Sequence, residues 1–185
     1  MSRCRFARPL HRTLKQLFFA GPGQINFVVP AGSATGSATI VAAKSGGATT
    51  QTGIATIASS AAGIFTISPG SSVPAALFLR VSSDGQRTTG YVFDANTLSA
   101  VDIPRNAGDQ TYLILFGTGL RHSNQIAATA NGREVPVLAA LAQGQFPGLD
   151  QINLGPLPFD LPSGAVSFRL FDEGREANLI TVRLQ

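Results

Sequence analysis

A chain of 185 residues with 44% hydrophobic residues and a mean hydropathy of +0.18 has apolar material for one packed domain or two small ones, which excludes a disordered chain. Only 13% of residues are charged, Trp is absent, and Gly and Pro number 20 and 11, a balance suited to short strands and tight turns rather than to a helix-rich enzyme. The net charge of +4 comes from one place: Arg3, Arg5, Arg8, Arg12 and Lys15 have no acid among them, leaving 9 basic against 10 acidic residues, a net of −1, in the rest. A nucleic-acid reader needs a basic face on its folded part, and this body lacks one.

At the N-terminus the arginines followed by "LKQLFFAGPG" imitate a signal peptide. Lys15 and Gln16 leave an apolar stretch of only Leu17 to Gly21, short of the ~7–15 residues required, so no cleavage is expected. Cys4 is the single cysteine, which excludes a disulfide framework and a Cys-based zinc site. No apolar run approaches the roughly 20 residues that span a bilayer. Leu10, Leu14, Leu17 and Phe18 have helical spacing, and the same segment reads equally well as a frayed or wrongly started N-terminus.

After Pro22 the pattern becomes β. Ile25, Phe27 and Val29 alternate to one side in "QINFVV" and stop at Pro30. Residues 37–43 and 52–59 flank Ser45-Gly46-Gly47, a hairpin signal. Further strands are expected over 63–67, 75–82 and 87–94, the last two joined by a turn at Ser83, Asp84 and Gly85. From residue 110 come "QTYLILFGTGL", "QIAATANGREVPVLAA", "DQINLGPLP", "GAVSFRLF" and "NLITVRLQ". Asn131-Gly132 is the strongest two-residue hairpin signal in the chain, and Asp172-Glu173-Gly174 turns the final pair.

Gln24-Ile25-Asn26 recurs as Gln151-Ile152-Asn153, an offset of 127 residues, and the Gly-led strand at Gly36 recurs at Gly164, an offset of 128. A sandwich-like module is thus written twice. The expected organisation is a basic segment over 1–14 that is disordered or read from a wrong start, a partial unit over 15–58, a middle β segment over 59–109, and a complete unit over 110–185. The edges of the partial unit should be sticky, so it is expected to be less stable than 110–185 or to borrow strands from a partner or the middle segment.

"YLILFGTGL" followed by "ATANGREVPVL" resembles the IPT/TIG family of immunoglobulin-like β-sandwiches, through Gly117, Gly119, Asn131, Gly132, Val135 and Pro136. With "FPGLDQIN", "LPSGAVSFRL" and "NLITVRLQ" the chain is more similar still to an uncharacterised C-terminal domain family of large exported bacterial proteins. The resemblance implies an all-β chain of tandem immunoglobulin-like units, the N-terminal one incomplete. It also implies a non-catalytic module, extracellular or in the cell envelope as part of a longer polypeptide. Because related sandwiches occur in Rel-type transcription factors, DNA binding is the alternative, and a carbohydrate-binding or adhesion module is the second.

Chemistry is sparse in the residues themselves. Gly117-Thr118-Gly119 lacks the third Gly, the Lys-Ser/Thr and the helix of a phosphate loop. His11 and His122 are the only histidines, and neither has the context of a catalytic triad. Asp150, Asp160, Asp172 and Glu173 read as solvated turn-formers rather than a glycosidase pair. No calcium-loop ladder occurs. No catalytic, cofactor or metal residue and no small-molecule substrate is therefore expected. The expected interaction loops hold Gly117, Thr118, Gly119, Arg121, His122 and Phe146, a bulky ring in a Gly-rich loop, and would meet a protein or cell-surface partner. Ser83, Asp84, Gly85, Asn131, Gly132 and Gly174 are expected to be structural turns.

Overall fold

The computed structural model describes residues 3–8, 11–15, 17–43, 49–123 and 125–185, with side chains for 17–43, 51–123 and 125–185. The described chain is all-β and divides into two compact units, Met1–Ser59 and Ser60–Gln185.

The first unit contains β1 (Arg3–Arg8), β2 (His11–Lys15), β3 (Leu17–Ala20), β4 (Ile25–Phe27), β5 (Gly36–Ala43) and β6 (Thr49–Ile57). One sheet runs β2-β1-β5-β6 and a second pairs β3 with β4, all antiparallel. The segment expected to be disordered or helical is thus strand at Arg3–Arg8, His11–Lys15 and Leu17–Ala20. The physical reason is pairing: β5 offers an edge, β1 takes it from Arg3↔Ala43 to Ala7↔Thr39, and such ladders override a helical spacing that rests on a few leucines. Leu10 and the Ser45-Gly46-Gly47 turn lie outside the described residues.

The second unit begins with β7 (Gly63–Ile64), β8 (Ala76–Val81), β9 (Arg87–Tyr91), β10 (Phe93–Asp94), β11 (Ser99–Ala100) and β12 (Asp102–Ile103). It continues with β13 (Gln110–Thr118), β14 (Ile126–Ala130), β15 (Arg133–Val135), β16 (Val137–Ala142) and β17 (Asp150–Leu154). β18 (Gly164–Asp172), β19 (Arg175–Glu176) and β20 (Ile180–Leu184) complete it. One sheet has the order β16-β17-β13-β8-β9 with β7 also on β13, the other β12-β20-β18-β14-β15 with β19 on β18. β12 and β20 pair in parallel.

Period-two patterning produces the core. Leu113 and Leu115 on β13, Ile152 and Leu154 on β17, Val166, Phe168 and Leu170 on β18, and Ile180, Val182 and Leu184 on β20 are buried, with partly exposed residues between most of them. They form one hydrophobic cluster between the two sheets, a β-sandwich arrangement. Each fully buried Leu, Ile or Phe contributes about 1.5–3 kcal/mol. Ala128 and Ala130 keep β14 thin where the ring of Phe168 lies on the neighbouring strand.

The middle segment is not a separate body. β8 pairs with β13 along Gln110↔Val81 to Leu115↔Ala76, and Phe78, Val92 and Ile103 belong to the common core. The alternating strand Gln110–Thr118 is interior and requires a neighbour on each side, which β8 and β17 supply.

The local turn signals hold. β8 and β9 are joined through Ser83, Asp84 and Gly85, with Gly85 at φ 85° and its amide donating to the Ser82 carbonyl at 2.8 Å. Asn131 and Gly132, at φ 47° and 81°, turn β14 into β15, and Glu173 and Gly174, at φ 48° and 80°, turn β18 into β19. Two positive φ values in a two-residue turn match the twist of the strands they connect.

Candidate functional site

β13 ends beside two other chain segments, since Thr118 faces Gly63 and Gly117 faces both Ile64 and Asp150. Residues 60–62, 119–123, 125, 143–149 and 173–174 therefore gather at one end of the second unit. The sequence forces this local geometry. Gly119 has φ 74°, and a Cβ there would run into the Ala61 carbonyl; a Cβ on Gly117 would meet the Gly63 carbonyl. The glycines permit close approach of the 60–63 backbone.

Asp150 fastens the next turn. Its carboxylate is 1% exposed and accepts from the Leu120 amide at 2.7 Å, the Arg121 amide at 3.2 Å and Arg121 Nε. Arg121 Nη2 also donates to the Leu149 carbonyl at 2.9 Å, which ties the 119–125 loop to the 143–149 loop. A buried carboxylate is tolerated because backbone amides and a guanidinium compensate it. Phe146-Pro147-Gly148-Leu149 is a tight turn with Gly148 at φ 81° and the Leu149 amide donating to the Phe146 carbonyl at 3.2 Å. Pro at the second position and a positive φ at the third are the type II pattern.

Asp172 lies at the same end, 2% exposed. Ser60 Oγ donates to its Oδ2 while its buried Oδ1 has no hydrogen-bond partner among the described residues, and the Glu173 amide donates to the Gln125 carbonyl at 3.1 Å. Asp150 and Asp172 are therefore not the solvated turn-formers their sequence context suggests. They are strand residues facing inward, whose burial depends on segments 29 to 112 residues away that local pattern does not reveal. Asp160 is exposed and pairs with Arg133, and Glu173 is the turn residue expected.

The six expected interaction-loop residues thus lie at one end of the second unit, Gly117 and Thr118 as the last residues of β13 and the other four in the loops beside it. Gly117, Gly119 and Arg121 are consumed in building it. Thr118, His122 and Phe146 are exposed, Phe146 by 65%. The neighbouring Ser123 hydroxyl accepts from the Gln125 amide at 3.3 Å. The cluster leaves the Phe146 ring exposed on a loop that Arg121 ties down, with Thr118 and His122 exposed at the same end of the unit. Among the described residues no group of three or more His, Cys, Asp or Glu side chains converges, and no helix is long and apolar enough to cross a membrane.

Arg105 is a candidate that sequence reasoning passed over, and Tyr91 one of two tyrosines whose scarcity counts against a carbohydrate-binding role. Arg105 donates to the carbonyls of Pro158, Phe159 and Leu161, its guanidinium stands 5.9 Å from the Phe159 ring centre, and burial pushes its pKa below the ordinary arginine value. It acts as a clasp for the 158–161 loop. Tyr91 is exposed, with its ring 5.4 Å from that of Phe93 and tilted by 57°, so the pair is not a flat sugar platform.

Compared with known proteins, the chain matches no family model, no curated protein and no solved structure. The all-β, multi-sheet fold and the loop cluster are what define its class.

Proposed function

We propose that this chain is a non-catalytic structural or binding module of an exported bacterial protein, of the immunoglobulin-like IPT/TIG kind, acting in protein–protein or cell-surface interaction through the loop cluster of its second unit. One observation carries the reading. The ionic groups Asp150 and Arg121 are spent on holding loops in place, while Phe146 is left exposed on the loop they hold. A scaffold that fixes a bare ring at a loop tip is built to present it. The resemblance of "FPGLDQIN", "LPSGAVSFRL" and "NLITVRLQ", together with the Gly117 to Pro136 stretch, to C-terminal domains of large exported bacterial proteins supports the setting.

The test has two arms. Mass spectrometry of secreted, envelope and cytosolic fractions should find the native polypeptide outside the cytosol, and a solely cytosolic product would sink the export reading. Labelled chain should bind the envelope of its own cell, with Phe146→Ala lowering affinity roughly tenfold or more at unchanged thermal stability. Equal binding by wild type and Phe146→Ala would remove this loop from the interaction.

A further inference from the structure

Two aspartates are buried at the loop end of the second unit, and their surroundings differ. Asp150 has the Leu120 and Arg121 amides and the Arg121 guanidinium around its carboxylate. Asp172 receives the Ser60 hydroxyl on Oδ2, and among the described residues its Oδ1 has no hydrogen-bond partner and its charge no ion-pair partner. Arg121 is committed to Asp150, and Arg175, opposite Asp172 in the pairing of β18 with β19, is exposed. A carboxylate taken out of water without compensation is strongly unfavourable, so a positive charge is called for at this place.

Lone pairs also outnumber hydrogens around Asp172. Ser60 Oγ lies against Asp172 Oδ2 and 3.2 Å from the Gly119 carbonyl oxygen, and its one hydrogen can point at only one of them. Asp172 Oδ1 and Oδ2, Ser60 Oγ and the Gly119 oxygen therefore meet with a single donor among them. The backbone fixes this meeting. Gly119 is at φ 74° with the Ala61 carbonyl packed where a Cβ would stand, and Asp172 ends β18 in register with Ile126 of β14. Such a set makes a poor hydrogen-bond network and a good shell for a cation, toward which all four oxygens can turn lone pairs.

We propose that Asp172, Ser60 and the Gly119 carbonyl form a Ca2+ site in the second unit. The donor set is oxygen alone, which favours a hard cation over a transition metal, and an irregular set drawn from three chain segments suits Ca2+ better than the strict octahedron of Mg2+. With one carboxylate, the affinity belongs in the range of roughly 10⁻⁴–10⁻³ M known for extracellular modules. Only one ligand is acidic, so the site needs no converging group of His, Cys, Asp or Glu side chains, and none is found among the described residues. The expectation of no metal residue rested on the lack of an Asp/Asn ladder within one loop, whereas these ligands come from positions up to 112 residues apart.

The test is titration of the full chain with CaCl2, followed by calorimetry and by thermal unfolding against EDTA. About one Ca2+ per chain should bind with a Kd of roughly 10⁻⁴–10⁻³ M, and the unfolding temperature of the second unit should rise by about 5 °C or more at roughly 10 mM CaCl2. Asp172→Asn, which keeps the shape and removes the charge, should abolish both effects and be at least as stable as wild type in EDTA. Where that variant fails to fold, hydrogen exchange on the wild type serves: Ca2+ should slow the amides of 119–123 and 172–173 and leave those of the Asp84 hairpin unchanged. A chain indifferent to Ca2+, a response that survives Asp172→Asn, a variant less stable than wild type in EDTA, or an equal shift with MgCl2 at matched concentration would overturn the proposal.

Discussion

Gln-Ile-Asn is folded twice in this protein, and its two isoleucines have opposite fates: Ile152 is fully buried, while Ile25 is 37% exposed. Both lie on short antiparallel strands next to a bulged partner, and both are flanked by the same side-chain hydrogen bond. What separates them is the company. β17 has β13 on its other side and the core residues of β18 and β20 in the same cluster, whereas among the described residues β4 shares its sheet with β3. Local sequence therefore sets the strand, and long-range neighbours set what the strand is worth.

Mutation should magnify that contrast. Ile152→Ala is expected to destabilise the second unit by about 3–4 kcal/mol, in the range for deleting a buried aliphatic side chain, and Ile25→Ala the first by less than about 1 kcal/mol. Chemical denaturation with probes in each unit measures both. Comparable losses would mean that the two strands are equally packed in solution. Next in size, Asp150→Ala should cost about 3 kcal/mol, since it strands the Leu120 amide and the Arg121 guanidinium. The exchange of 119–125 amides should rise in the same variant.

Hydrogen exchange sharpens the comparison without mutation. Amides of β13 and β17 should approach the global limit, and those of β3 and β4 should exchange at least about a hundredfold faster in dilute solution. Equal protection would contradict the difference in stability between the units. A smaller effect compares two turns: Glu173 occupies with φ 48° the place that Asn131 takes with φ 47°, and Glu173→Asn should stabilise by about 0.5–1 kcal/mol in thermal unfolding.

The smallest effect concerns the hairpin at Asp84. Its carboxylate pKa lies below 3.8, first because of the Ser82 hydroxyl and then the Gln86 amide. A depressed folded-state pKa contributes stability above the unfolded value and loses it as pH falls through the folded one. The small acid-side loss below pH 3.8 should therefore shrink in Asp84→Asn.

Those turns were legible in the sequence because their chemistry is local. Ser83-Asp84-Gly85, Asn131-Gly132 and Glu173-Gly174 need φ above zero, and Gly, Asn and Asp supply it cheaply. The bends of the loops at the end of β13 were legible for the same reason, through Gly119 and the Pro147-Gly148 pair. The strands β1 and β2 were hidden because arginines and a few leucines have no period-two signature, and only pairing with β5 reveals them. Burial of Asp150 and Asp172 was hidden because the groups that compensate or cover them come from distant segments. The continuity of β8 with β13 was hidden likewise, since sheet order is a property of contacts rather than of composition.

β20 lies between β18 and β12, with Ile180, Val182 and Leu184 in the core and the Gln185 amide donating to the Ile103 carbonyl at 3.0 Å. A growing chain emerging from the ribosome consequently carries β12 and β18 for some time with a gap between them that nothing in hand can fill. Closure of the second unit waits on the synthesis of β20, and a stalled or nicked product ending before Ile180 leaves a slot in the sandwich through which its core meets water.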